Sequence, residues 1–94
     1  MEFIEQLRAF LGPTVEDADL YAAARSAVAA DVRALKVAIA ERVWRARQRS
    51  AAGDQTGAAS QLAAARQLQR EYDAAMAEYC TLQRSGTQPS TNAA

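Results

Sequence analysis

Few side chains of this 94-residue chain are suited to catalysis, since it has no histidine and a single cysteine, Cys80. Such a sequence lacks the histidine that the usual zinc sites and the Ser–His and Cys–His catalytic arrangements require. No Lys-Ser/Thr pair follows the glycines, as it does in a phosphate-binding loop. We expect Cys80 to be a small packed side chain in a reducing compartment. An intermolecular disulfide is the alternative.

The carboxylates and tyrosines of the second half also favour a non-catalytic reading. Glu71, Asp73 and Glu78 share a predicted helix but point to different faces, whereas paired-carboxylate catalysis needs them to converge in a cleft. Tyr72 and Tyr79 are spaced for stacking on bases, yet they belong to the apolar stripe of their helix, which favours the core. The sequence therefore predicts no enzyme, no metal and no cofactor.

One charge cluster is basic. Arg42, Arg45 and Arg49 lie within about 60° of one another on a helix. Cations near a helix C-terminus complement its dipole, and Glu41 stands four residues before Arg45. An electrostatic contact with an acidic protein surface or a nucleic-acid backbone is the alternative. A net charge of +0 makes a dedicated nucleic-acid binder the less favoured of the two partners.

The elements that position these residues are predicted to be helices. The chain is rich in alanine and straight-chain polar residues, with four Gly and two Pro, and no segment alternates with period two. We predict an all-α fold: an antiparallel two-helix, coiled-coil-like hairpin with a short amphipathic N-terminal helix and a disordered C-terminal tail. The predicted ranges are a single domain 1–84, with helices 2–11, 14–50 and 56–84, and a flexible tail 85–94.

Helix ends are indicated by capping residues. Thr14 is the predicted N-cap of the first long helix, and Asp54 or Thr56 that of the second. Ser85-Gly86 is predicted to end the second long helix.

Both long helices carry an apolar stripe. The stripe of the first has heptad spacing, with Arg25 and Arg42 interrupting it at its ends. Its members are Tyr21, Val28, Val32, Leu35 and Ile39. The stripe of the second helix consists of Leu62, Ala65, Leu68, Tyr72, Met76, Tyr79 and Leu82, with Ala58 and Ala75 filling in.

A second apolar face of the first long helix lies about 180° from its stripe. It contains Ala23, Ala30, Val37 and Trp44, spaced by seven residues. A helix with two apolar faces is usually sandwiched, so Val37 and Trp44 are predicted to bind a partner. The alternative is that Trp44 packs under the N-terminal segment or the turn.

The N-terminal segment is too short to be a stable helix alone and must dock. Phe3, Leu7 and Phe10 recur at helical spacing and are predicted to form its binding face. The sequence leaves open whether they dock on their own chain or on a partner.

The outline of a helical hairpin with a tryptophan resembles that of the small helical proteins of type VII secretion. Trp44-Arg45-Ala46 lacks the turn glycine of that family, and neither Tyr72 nor Tyr79 has an acidic residue four positions on. We therefore assign no family on this resemblance.

The function predicted from these features is a non-enzymatic structural or interaction subunit. We expect a homo-oligomer, or a subunit docked on a larger complex, with a phage virion component as one form. A small helical chaperone or adaptor for a partner helix is the alternative, and a nucleic-acid-associated factor is a third. The acidic start and the lack of an 18-residue apolar run predict neither a secretion signal nor a membrane span. The expected location is the cytoplasm or a virion.

Overall fold

The computed structural model describes the backbone of residues 2–92 and the side chains of residues 2–85. Within that range it contains three helices and no strand: α1 (Glu2–Leu11), α2 (Asp17–Ala51) and α3 (Gln55–Asn92). The long helices α2 and α3 pack against each other in a hairpin-like manner. The all-α prediction is confirmed.

Two helix boundaries differ from the predicted ones by more than one residue. α2 begins at Asp17 instead of Thr14, because Pro13 and Thr14 form a turn and the first bond of the α2 ladder runs from Leu20 N–H to the Glu16 carbonyl. Thr14 therefore does not cap α2. α3 continues beyond Arg84, its predicted end, to Asn92. That 85–94 is a flexible tail stays a prediction, and residues 93–94 lie outside the described residues.

The connection from α1 to α2 depends on Gly12. This residue has a φ of +96°, and its N–H donates to the Arg8 carbonyl at 2.9 Å, which is the αL type of helix C-cap. Across the turn, the Arg8 guanidinium pairs with the Asp17 carboxylate at 2.9 Å. Both side chains are substantially exposed, so the pair adds little stability and mainly fixes the approach of α1 to α2.

The chain divides into two compact units. Of the described residues, unit 1 comprises 2–30 and 77–92. Its described core is formed by Ile4 of α1, Leu20 and Ala24 of α2, and Leu82 of α3. Leu20 and Leu82 are fully buried. Partly buried apolar side chains surround this core: Phe3, Leu7, Val15, Tyr21 and Val28.

Unit 2 comprises residues 31–76 and has a thinner core. Val32 and Leu35 of α2 are buried in it, whereas its other buried apolar residues are alanines. Those alanines are Ala46, Ala58 and Ala65. Alanine removes little apolar surface from water, so this unit gains less from burial than a core of leucines would. Arg42 also donates to Gln61 Oε1 at 3.1 Å, which ties α2 to α3.

The turn between α2 and α3 in unit 2 satisfies the backbone groups at both helix ends. Gly53, with a φ of +85°, donates to the Ser50 carbonyl, and Asp54 N–H donates to the Arg49 carbonyl, as in a Schellman motif. Asp54 then caps α3, since its Oδ1 accepts from Gly57 N–H at 2.8 Å. Asp54 Oδ2 also pairs with Arg49 at 3.2 Å. Of the two predicted caps, Asp54 is the one used.

The predicted stripes face the cores with one partial exception. Val28 and Ile39 are half-buried and Val32 and Leu35 are buried, as heptad spacing predicts. On α3, Ala65 and Leu82 are buried, but Leu62 remains 38% exposed. The exposure of Leu62 shows that the packing of α3 against α2 leaves this side chain partly accessible to water.

Candidate functional site: the exposed apolar surface of unit 2

The second apolar face of α2 has no cover among the described residues. Val37 is 60% exposed and Trp44 is 58% exposed. Ala23 and Ala30 are exposed as well. Trp44 therefore does not pack under α1 or under the turn, and that alternative is wrong. That this face binds a partner stays a prediction.

Trp44 is bordered by a cation. The guanidinium carbon of Arg47 lies 6.0 Å from the centre of the Trp44 ring, at the outer limit of a cation–π contact. Arg47 is exposed, so this contact is weak and leaves the remaining edge of the indole in water. The pair presents an apolar ring beside a positive charge.

A shallow groove of about 320 Å³ adjoins Arg47 at the turn end of unit 2. Its lining residues are Val43, Ala46, Arg47, Ser50, Gln55, Ala58, Ala59 and Leu62. The groove exists because small side chains line it: Ala46 and Ala58 are buried and leave room where larger residues would fill the space. Val43 and Leu62 expose their side chains beside it. The surface is therefore apolar with one cation at its edge.

Sequence reasoning missed this groove. Leu62 was predicted to be a core residue, and Val43 was assigned to neither apolar face. One feature of the sequence could have indicated it: small residues, Ala46 and Ala58, stand on both sides of the turn, and both line the groove. The size of the groove depends on how α2 is aligned with α3, and the spacing of apolar residues in the sequence does not predict that alignment.

The predicted arginine cluster is largely engaged within unit 2. Arg42 donates to Gln61, and Arg49 pairs with Asp54. Arg45 is exposed, and no hydrogen bond or ion pair joins it to another described residue. The interpretation that such cations stabilise the helix end is compatible with the Arg49 pair. An external electrostatic contact through these residues stays a prediction, with Arg45 and Arg47 the better placed.

The predicted binding face of α1 is divided between the core and the surface. Phe3 and Leu7 are half-buried and pack against the core of unit 1, whereas Phe10 is 90% exposed. The residue that α1 buries best is Ile4, which is not one of the three residues predicted for the binding face. α1 thus docks on its own chain through Ile4, and Phe10 is left as a projecting aromatic side chain.

The side chains with reactive groups are dispersed. Cys80 is exposed, so the expectation of a packed thiol is wrong. Glu71 and Asp73 are exposed and Glu78 is half-buried. Among the described residues, no three His, Cys, Asp or Glu side chains are grouped as metal ligands would be. None of the described helices combines the length and apolar character needed to cross a bilayer.

Comparison of the chain with protein-family models, with curated proteins and with solved structures found no match.

Proposed function

We propose that this protein is a non-enzymatic structural or interaction subunit that joins a larger assembly by helix packing. The observation that carries the proposal is the exposure of Val37 and Trp44 on one face of α2, next to the apolar groove. Large apolar side chains clustered on a surface mark sites of protein association. Aromatic residues and arginine, both found here, are enriched at the centres of such interfaces.

The thin core of unit 2 supports the same proposal. Its alanine-rich packing leaves little apolar burial to stabilise the unit, and association would add the burial that the chain lacks. In this proposal unit 2 is an antiparallel, coiled-coil-like hairpin whose outer face on α2 is completed by a second protein or a second copy. A virion component located in a phage particle or the host cytoplasm is one form of such a subunit.

A helical chaperone or adaptor is the second candidate, and the groove is the observation that favours it. An amphipathic helix of another protein placed along Val43 and Leu62 would bury both side chains. A nucleic-acid-associated factor has less support, since Arg42 and Arg49 already have partners within the chain.

The single tryptophan makes the proposal testable by fluorescence. Because Trp44 is the one tryptophan in the sequence, its emission reports this face alone. We expect a shift to shorter wavelength and protection from acrylamide as the protein concentration rises, or on addition of its partner. Val37→Gln, on the same face, should weaken the shift. Ala74→Gln, which introduces the same side chain at an exposed position of α3 away from this face, is the matched control. Emission that stays at the position of a hydrated indole in every assembly the protein forms would refute the proposal.

A further inference from the structure

Two apolar features of this chain are open to water, one a projecting side chain and the other a groove. One is Phe10, a projecting aromatic side chain at the end of α1. The other is the groove at the turn end of unit 2, open to water and lined by alanines between Val43 and Leu62. A ring is a flat apolar group that a shallow groove with an alanine floor can accept.

The charges around the two features are opposite. The first nineteen residues carry five carboxylates and one arginine. That arginine, Arg8, is paired with Asp17, whereas the carboxylates of Glu5, Glu16 and Asp19 are exposed. Residues 31–51 of α2 carry six cations and two carboxylates. Arg47 lies at the edge of the groove and Arg45 is exposed on the same helix. Complementary potentials of this kind orient two surfaces and exclude other pairings.

We propose that the groove of unit 2 accepts the α1 end of a second copy of this chain, with Phe10 inserted between Val43 and Leu62. The acidic N-terminal region of that copy, residues 2–19, then approaches Arg47 and Arg45. The inference rests on the proposed function and specifies its partner as another copy. It also specifies a contact between two different surfaces, so association gives either a reciprocal dimer or a longer series of copies.

The contact is small and partly electrostatic, which sets its expected strength. A buried aromatic side chain removes about 150–250 Å² from water, well below the area of a stable standard interface. The association is therefore weak for a single contact and falls as salt is added, because exposed charges are screened. Repetition of the contact along an assembly would supply the stability that one contact lacks.

The test uses two variants that each remove one side of the contact. Phe10→Ala removes the inserted ring at a position that is already exposed, and Ala59→Glu fills the groove from one of its exposed lining positions with a carboxylate. Ala74→Glu, an exposed alanine of α3 outside the groove, is the matched control, and Phe10→Leu is the conservative variant. Circular dichroism of each chain checks that the helices are retained.

Light scattering then measures the mass of each chain and of their mixtures at low salt. We expect wild type, Ala74→Glu and Phe10→Leu to associate, while Phe10→Ala and Ala59→Glu remain monomeric when alone. The mixture of those two should form a one-to-one dimer, since the Ala59→Glu chain supplies Phe10 and the Phe10→Ala chain supplies an intact groove. This rescue is a result that general damage to either chain would not produce.

Three outcomes would overturn the inference. A mixture of the two variants that remains monomeric at millimolar concentration and low salt, where a single weak contact should form, rejects the proposed pairing of the two surfaces. If Phe10→Ala and Ala59→Glu each associate at wild-type strength while Val37→Gln does not associate, the pairing of Phe10 with the groove is rejected. The proposed function, which depends on the Trp44 face, would still hold. A wild-type chain that stays monomeric at millimolar concentration and low salt rejects the second copy as the partner.

Discussion

Replacing Gly57 by alanine tests whether the Asp54 side chain caps α3. Gly57 occupies the first turn of α3, where alanine is favoured over glycine by up to about 1 kcal/mol. A Cβ at this position would overlap Asp54 Oδ2 and lie 2.7 Å from Asp54 Cγ. The Asp54 side chain would have to rotate away, and the cap that it makes at 2.8 Å would be lost.

The two effects have similar size and opposite sign. Loss of an N-cap typically costs about 1 kcal/mol, so Gly57→Ala alone should leave the free energy of unfolding nearly unchanged or slightly lower. In an Asp54→Ala background the cap is already absent, and the same substitution should raise the free energy of unfolding by up to about 1 kcal/mol. The predicted coupling between the two positions is therefore about 1 kcal/mol.

Urea denaturation followed by circular dichroism, on the wild type, both single variants and the double variant, measures this coupling. Asp54→Asn separates the cap from the ion pair, because asparagine can accept the Gly57 N–H but cannot pair with Arg49. Ser60→Ala, on the exposed side of α3, is a control that should not couple to Asp54. An equal gain from Gly57→Ala in both backgrounds would refute the reasoning about the cap.

The remaining predictions concern packing and the exposed face. Leu82→Ala should lower the free energy of unfolding by about 2–5 kcal/mol, because Leu82 is fully buried; a loss below about 1 kcal/mol in urea denaturation would contradict its place in the core. Gly12→Ala should cost about 1 kcal/mol or more, since φ is +96° although a Cβ would meet no atom within 4 Å; an unchanged melting curve would show that the turn is not held in this conformation. Arg25→Leu should raise the stability by about 1 kcal/mol, because Arg25 Nη1 is buried without a hydrogen-bond partner among the described residues, and a loss of stability would show that the charge is compensated. Trp44→Gln should change the stability of the monomer by less than about 0.5 kcal/mol and abolish association through this face; a large loss of monomer stability in the same assay would mean that Trp44 is a core residue.

The sequence predicts the helices and the turn well because these depend on local chemistry. Alanine-rich segments favour helix, and Gly53 followed by Asp54 has the residues that a Schellman turn and an N-cap require. The start of α2 was misplaced because Thr14 is a good cap by type. Pro13 and Thr14 form a turn, so α2 begins only at Asp17.

Which face of each helix is buried depends only partly on the sequence of that helix. Val32 and Leu35 are buried as heptad spacing predicts, since the stripe of α2 has a facing stripe on α3. Ile4 and Phe10 lie at the two edges of the apolar face of α1, so periodicity cannot choose which of them is buried, and contacts with Leu20 and Leu82 decide for Ile4. The sequence left two positions open for Trp44, on an uncovered face or packed under another element, because the choice depends on where other elements end.

The measurement that tests the central claim most directly is solution mass by light scattering from micromolar to millimolar concentration, at low and high salt, with Trp44 emission recorded on the same samples. The account predicts a mass that rises above the monomer with concentration, a shift of the emission to shorter wavelength in parallel, and a weakening of both at high salt. A mass that rises while Trp44 stays hydrated would contradict the assignment of this face, and a monomer throughout would contradict self-assembly.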